Sequence, residues 1–319
     1  MVDRWADAID SEFSKVEEVI LDALSSDNEE LDEMCKYVIQ SGGKRVRPAV
    51  CILSYLACGG KDVDRAVKVG AGFEILHSAS LVHDDIDDNG MLRRGRLTLH
   101  KKYTLTKALV AGDFMLVRGY RCLSSLPEEP MDIVIKAAGM MVESEFVQKD
   151  FEHDLDVTID DYMGIIKGKT AMLITASAAS GAYIATDDQD CIDSIVEYSS
   201  CIGIAFQIID DILDVIGTDG TGKKVGIDLL EGKPTLPIIY AMEDPVYGKE
   251  LREIHSRSAT DADVARALEL IRMTDSLDKC YKKAEDVAQG AIDALAPLPD
   301  SIYKESLIGL AKYIVRRDR

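Results

Sequence analysis

The chain has 319 residues, 57 of them acidic against 37 basic, for a net charge of −20, and 47% of it is hydrophobic. So acidic a balance excludes nucleic acid as a partner, because phosphate backbones attract basic surfaces, while the apolar content suffices for a substantial core. Seven scattered cysteines with no Cys-x-x-Cys spacing exclude a zinc site or a disulfide framework and predict free thiols in a reducing, cytoplasmic compartment.

The start of the chain, Met1-Val2-Asp3-Arg4-Trp5, is charged and holds no apolar run, so no signal peptide is expected. Phe13, Val16, Ile20 and Ala23 form a first helical stripe, and Leu31, Met34, Cys35, Val38 and Ile39 a second. Gly42-Gly43 ends that second helix, Pro48 lies in the first turn of a third, and Gly59-Gly60 closes it. Pro127 and Pro130 are read as bracketing a loop, and Thr158 with Asp161 as a capping box. The uncharged stretch from Thr170 to Thr186, rich in small residues, is too short to span a membrane and is expected as a packed core helix. Beyond about Asp244 the chain is more charged and is read as peripheral helices. Sustained strand alternation is missing. These signals predict an all-α, single-domain helical bundle around a central cavity, spanning 1–319, with ten or more helices.

Two acidic segments stand out, Asp84-Asp85-Ile86-Asp87-Asp88 and Asp210-Asp211-Ile212-Leu213-Asp214. Each contains Asp-Asp-x-x-Asp after an apolar or small-residue run. On a helix, residues four apart share a face, so Asp84 would project with Asp88 and Asp210 with Asp214. Like charges so placed repel, and acids near a helix C-terminus oppose its macrodipole. One such cluster is an ordinary solvated helix end; two of the same spacing point to a bound cation. An all-oxygen donor set suits Mg²⁺, which commonly bridges protein to phosphate.

Basic residues gather in four places: Lys44, Arg45 and Arg47; Arg93, Arg94 and Arg96; Lys167 and Lys169; and Lys223, Lys224 and Lys233. Two of these groups lie just past the acidic segments, the pairing that two diphosphates require. The helix before Asp84, from Phe73 to Val82, is apolar with small residues at 78–80, which suits a hydrocarbon tail below a diphosphate head.

At these residues the chain resembles the trans-isoprenyl diphosphate synthase (polyprenyl synthetase) family, in its geranylgeranyl-diphosphate-synthase-like form. The resemblance rests on motifs in family order: Gly43-Lys44-Arg45-Val46-Arg47-Pro48; His77 through Asp88, on to Arg93-Arg94-Gly95 and His100; Gly112-Asp113; Lys169-Thr170; and Phe206-Gln207 through Asp214, on to Gly226-Ile227-Asp228 and Gly232-Lys233-Pro234-Thr235-Leu236-Pro237. This motif core covers about 42–241, with helices at 245–319 outside it. One departure is Leu97, where the family usually has proline.

The resemblance implies a Mg²⁺-dependent prenyltransferase, usually a homodimer, that condenses isopentenyl diphosphate with an allylic diphosphate (dimethylallyl, geranyl or farnesyl). It implies that Asp84, Asp85 and Asp88, with Asp210, Asp211 and Asp214 on a facing helix, hold about three Mg²⁺ ions against the allylic diphosphate. Arg93, Lys169, Lys224 and Lys233 would grip the same group, with Thr170 beside them. Lys44, Arg47, His77 and Arg94 would bind isopentenyl diphosphate, and Gln207 would lie near the reacting carbons. Product length would be set by Ala79 and Ser80, whose small side chains predict geranylgeranyl diphosphate; a longer product (C25 or more) is the alternative, with a deeper floor at Met141 or Phe146, and farnesyl diphosphate the lesser one. A class I terpene cyclase would carry a different second metal motif, a membrane prenyltransferase would need spanning helices, and a non-catalytic helical subunit would lack aspartates or the arginine pair.

Overall fold

The computed structural model describes residues 4–217 and 225–316. It is helical almost throughout, as the periodicity predicts. The helices are α1 (Asp10–Ala23), α2 (Glu29–Ile39), α3 (Val46–Ala57), α4 (Val63–Asp87), α5 (Leu99–Lys102), α6 (Leu105–Leu123), α7 (Glu128–Asp150), α8 (Ile159–Ile166), α9 (Met172–Ala185), α10 (Gln189–Ile216), α11 (Ile227–Leu230), α12 (Leu236–Met242), α13 (Gly248–His255), α14 (Asp261–Met273), α15 (Ser276–Ala294) and α16 (Ile302–Ile314). A five-residue π-helical turn, Lys167–Ala171, joins α8 to α9, and two short antiparallel strands, β1 (Leu92–Arg93) and β2 (Arg96–Leu97), form a hairpin. None of the described helices is long and apolar enough to cross a membrane.

The chain packs as two compact units. Of the described residues, the first comprises 4–135, 173–196 and 295–309; the second comprises 136–172, 197–217, 225–294 and 310–316.

In the first unit α4 is the central helix, packed most extensively on α6 and also on α3 and α1. The α4–α6 approach is close because glycines alternate with large side chains across it. A Cβ at Gly72 would stand 2.9 Å from Leu123, one at Gly119 would stand 2.7 Å from Leu76, and one at Gly112 would collide with the His83 ring. So α4 cannot shift along α6 without driving a side chain into backbone. The α2 stripe buries Met34, Cys35 and Ile39, while Asn28 caps the helix by accepting the Leu31 N–H at 3.0 Å. The small-residue stretch is indeed a core helix: α9 buries an unbroken run from Leu173 to Ala182.

In the second unit, Thr158 and Asp161 form both halves of the expected capping box, which is worth about 1 kcal/mol. Two sequence expectations need correction. Pro130 lies in the first turn of α7 instead of a loop; the first turn has unsatisfied N–H groups anyway, so proline loses nothing there. The helices past Asp244 are not merely peripheral: Leu251, Ile254, Val264, Leu268 and Ile271 are buried with Val215 and Ile238 in one cluster. Their many charges sit on the exposed faces and conceal a narrow apolar stripe.

Candidate active site

In the first unit, the acidic segment ends α4. The Asp88 N–H donates to the Asp84 carbonyl at 2.8 Å, the i to i+4 bond that sets both residues on one helix face, and both side chains are half-buried. Asp85, one residue on and turned by about 100°, is buried at 8% exposure and accepts from Arg93 Nε at 2.7 Å. Burial raises its pKa, and the Arg93 guanidinium opposes the shift. The spacing therefore divides the segment into an outward pair and one inward residue that holds an arginine.

Arg93 and Arg94 are placed by the hairpin. Arg93 pairs with Arg96 across it, and the connecting Arg94 and Gly95 have φ of 51° and 74°. Left-handed backbone at both central residues is what a tight two-residue hairpin requires. Leu97, at the departure from the family pattern, pairs with Leu92, and its carbonyl accepts from Tyr37 Oη at 2.8 Å. The turn delivers the Arg94 guanidinium to Gly43, where a Cβ would stand 2.9 Å from Nη1. Glycine is needed there twice over, for this approach and for its φ of 148°.

Beside Gly43 the α3 N-terminus brings three cations together: Lys44, Arg45 and Arg47. Arg45, itself left-handed at φ 51°, is engaged through all three guanidinium nitrogens, donating to Glu17 at 2.6 Å, to Glu74 at 2.7 Å and to the Ile39 carbonyl at 3.0 Å. It is a structural arginine, and it engages Glu74, the buried acid of the cluster. Arg47 is different: its Nε is buried and has no partner among the described residues. Burial lowers its pKa to about 10, with Arg94 contributing and Glu74 opposing, so it is still charged at neutral pH. His77 lies in the field of these groups. Burial first, then Arg47, Arg94, Arg93 and Arg45, push its pKa well below the usual value, leaving a neutral ring. A half-buried arginine whose Nε is buried and unsatisfied, beside a second arginine, is the donor set a multiply charged anion would complete.

In the second unit, Asp210 and Asp214 are half-buried and Asp211 is 4% exposed. Asp211 accepts from Tyr162 Oη at 2.6 Å and from Gln207 Nε2 at 2.8 Å, and Gln207 Oε1 accepts from Thr170 Oγ1 at 2.8 Å. Burial raises Asp211 to about 7 despite these donors. Asp214 receives the backbone N–H groups of Ile227 and Asp228 at 3.2 and 3.1 Å, which fastens the following turn to α10. Burial, then Asp214 and Asp211, hold the Asp228 carboxyl well above the carboxylate range.

Lys169 and Thr170 sit in the π-helical turn. Such a turn re-aims side chains and is frequent at functional sites. It is fixed by close backbone approaches: a Cβ at Gly168 would collide with Ser144, and one at Gly203 with Ala171. Lys169 Nζ reaches Gln148 at 2.6 Å and Glu145 at 2.5 Å. Lys233, 7% exposed, pairs with Glu231 at 2.7 Å. Lys224 lies outside the described residues.

Sequence reasoning missed Glu74 and Tyr162, whose partners are distant in the chain. Of the two, only Glu74 carried a signal, as an acid inside the apolar α4 run. Ala79 is fully buried, and Ser80, half-exposed, donates to the His77 carbonyl at 2.9 Å. Phe146, expected as a possible deeper floor, is 73% exposed within the chain.

Among the described residues no three His, Cys, Asp or Glu side chains form a ready-made metal cluster. Carboxylate pairs on one helix face nonetheless fit Mg²⁺, which typically takes one or two protein carboxylates and completes its shell from phosphate and water.

The model for the family described as "Polyprenyl synthetase" matches residues 28–271. Among curated proteins, the chain is 35% identical to an all-trans-nonaprenyl-diphosphate synthase (geranyl-diphosphate specific) of Rhodobacter capsulatus, over 96% of this chain and 95% of that protein. It is 34% identical to the octaprenyl diphosphate synthase of Escherichia coli, covering 97% and 96%, and 35% identical to a geranylgeranyl diphosphate synthase of Saccharolobus solfataricus, covering 90% of each. Among solved structures, a polyprenyl synthase from Caulobacter crescentus, complexed with calcium and isoprenyl diphosphate, superposes with a TM-score of 0.94 at 33% identity, covering 100% of this chain and 98% of that one. Fold and relatives together define an all-helical prenyltransferase. The chain belongs to the polyprenyl synthetase family.

Proposed function

We propose that the whole chain acts as one Mg²⁺-dependent, cytoplasmic synthase domain that condenses isopentenyl diphosphate with an allylic diphosphate, head to tail, to a prenyl diphosphate longer than twenty carbons. The observation that carries this reading is the arginine cluster of the first unit, where the buried Arg47 Nε has no partner among the described residues while each guanidinium nitrogen of Arg45 is bonded.

Lys44, Arg47, Arg94 and neutral His77 bind isopentenyl diphosphate, and orient its double bond for attack on C1 of the allylic chain. Arg93, Lys169, Lys224 and Lys233 bind the allylic diphosphate, as does Thr170, which is hydrogen-bonded to Gln207 and through it to Asp211. Asp84, Asp85, Asp88, Asp210, Asp211 and Asp214 are the residues assigned to the divalent ions; the buried Asp85 and Asp211 serve chiefly by holding Arg93 and Gln207. The ions, when bound, supply charge neutralisation for the departing diphosphate. The new carbon–carbon bond forms as the C1–O bond breaks, and the proton leaves C2 of the isopentenyl unit for the released diphosphate.

The length assignment favours the longer alternative over geranylgeranyl diphosphate, because the nonaprenyl and octaprenyl synthases match over nearly the whole chain. The small Ala79 and Ser80 agree with a deep channel. Chromatography of products from farnesyl and isopentenyl diphosphates with Mg²⁺ tests it: chains beyond twenty carbons are expected, and a product stopping at twenty restores the shorter reading. Ser80→Phe should shorten the product by one or more five-carbon units. Ser80 is the better position for that test, since a phenylalanine at the fully buried Ala79 would overpack α4 at a cost of about 1–3 kcal/mol.

The proposed functional form is a homodimer. The exposed apolar side chains of α6, Leu105, Leu109, Val110 and Val117, supply a surface that a second copy would cover. Light scattering on the purified chain should give twice the chain mass; a monomer at micromolar concentration would refute this part.

A further inference from the structure

His153 has no place in the motifs, yet the second unit is locally built around it. It follows α7 with φ 64°, a left-handed backbone unusual for a residue with a side chain. Its N–H donates to the Gly232 carbonyl at 2.8 Å, and its Nδ1 lies 2.9 Å from the His255 carbonyl at the C-terminal end of α13. Its ring lies directly over Gly232, so that any Cβ at 232 would collide with it. Gly232 itself has φ 70°. Behind this contact is the buried His255 ring, 6.1 Å away between centroids.

The residue thus clamped immediately precedes Lys233. The other side of the same turn is already fastened: the Lys233 N–H donates to the Asp228 carbonyl at 2.8 Å, and the Asp228 N–H donates to the Asp214 carboxylate. The turn is therefore held at one end by the aspartate segment of α10 and at the other by His153. A lysine on a four-carbon stem loses much rotamer freedom when fixed, so a rigid backbone beneath it matters for presenting the ammonium in one place.

We infer that His153 is a positioning residue for the prenyl transfer: by bridging Gly232 to the end of α13 it fixes the turn that presents Lys233 to the allylic diphosphate. This rests on the proposed reading that Lys233 binds that group. His153 touches no reacting atom, and its removal acts on one substrate only.

The test compares His153→Ala, His153→Gly and His153→Asn in the full-length chain. Asparagine tolerates the left-handed backbone, and its Nδ2 occupies the place of the imidazole Nδ1 donor. Amide exchange followed by mass spectrometry should show faster exchange across 226–235 in the Ala and Gly variants, wild-type exchange across 77–95 in the first unit, and recovery in the Asn variant. In the steady state, KM for the allylic diphosphate should rise about tenfold in Ala and Gly, with KM for isopentenyl diphosphate within about twofold and Asn close to wild type. Unchanged exchange at 226–235, failure of Asn to restore it, or equal rises in both KM values would overturn the clamp. The glycine variant removes backbone strain at 153, so the question stays answerable if the alanine variant does not fold. If the wild-type chain transfers no prenyl group, the functional reading falls, and the exchange comparison alone decides the clamp.

Discussion

Arg47→Met is expected to raise KM for isopentenyl diphosphate about a hundredfold while leaving KM for the allylic diphosphate and the thermal midpoint little changed. A hundredfold loss corresponds to about 2.7 kcal/mol, the size of one or two charge-assisted hydrogen bonds. The Arg47 Nε is buried with no partner among the described residues, which is costly to the fold. A protein that kept an arginine with a buried Nε for stability alone would pair that atom, as it pairs the Arg45 Nε with Glu17. Methionine fills similar space without charge, so the variant should be as stable as the parent or more so. Titration calorimetry and a melting curve on one preparation check both halves. Unchanged affinity for isopentenyl diphosphate would mean that the cluster holds the fold and not a ligand.

Asp84→Ala and Asp210→Ala should each lower kcat by about a thousandfold or more, with little loss of stability, which a metal-titrated turnover assay and a melting curve together check. Asp84 lies in the last turn of α4, where a carboxylate faces the negative end of the helix dipole. Its removal relieves that opposition, which is worth about 0.3–1 kcal/mol. A residue whose loss leaves stability little changed and nearly abolishes turnover is kept for the reaction. Equal losses of stability and of activity would instead mark these aspartates as part of the fold.

The parts of the fold that were legible in the sequence are those governed by local rules. The α2 stripe, the Thr158 capping box and the small-residue α9 each depend on residues within a few positions of one another, and each is found where expected. What was not legible depends on partners far along the chain. The inward turn of Asp211 is fixed by Tyr162, 49 residues earlier, and the Arg45–Glu74 pair spans 29 residues. No periodicity reports such a contact. The π-helical turn at Lys167–Ala171 leaves no mark in composition, because it is stabilised by the approach of Ser144 to Gly168 and of Ala171 to Gly203. The apolar stripes of α13 and α14 were masked by the charges on their outer faces, although Leu251, Ile254, Leu268 and Ile271 are buried.

Of the site, the residue types and their assignment to ligands were legible through the family resemblance, and the contacts that separate residues within each motif were not. The Asp-Asp-x-x-Asp spacing identifies six aspartates but treats them alike, whereas Asp85 and Asp211 are buried and hold Arg93 and Gln207. Likewise the motif marks Arg47 and not Arg45 as a ligand residue but gives no reason for the difference, whereas the structure ties Arg45 to Glu17 and Glu74 and shows no partner for the Arg47 Nε among the described residues.

The most direct measurement is turnover of farnesyl and isopentenyl diphosphates by the wild-type chain and by the Asp84→Ala/Asp210→Ala double variant, each with Mg²⁺ and with excess chelator. The account predicts a long-chain prenyl diphosphate from the wild type with Mg²⁺ and no product in the other three reactions. Undiminished product from the double variant, or from the wild type in chelator, would contradict it.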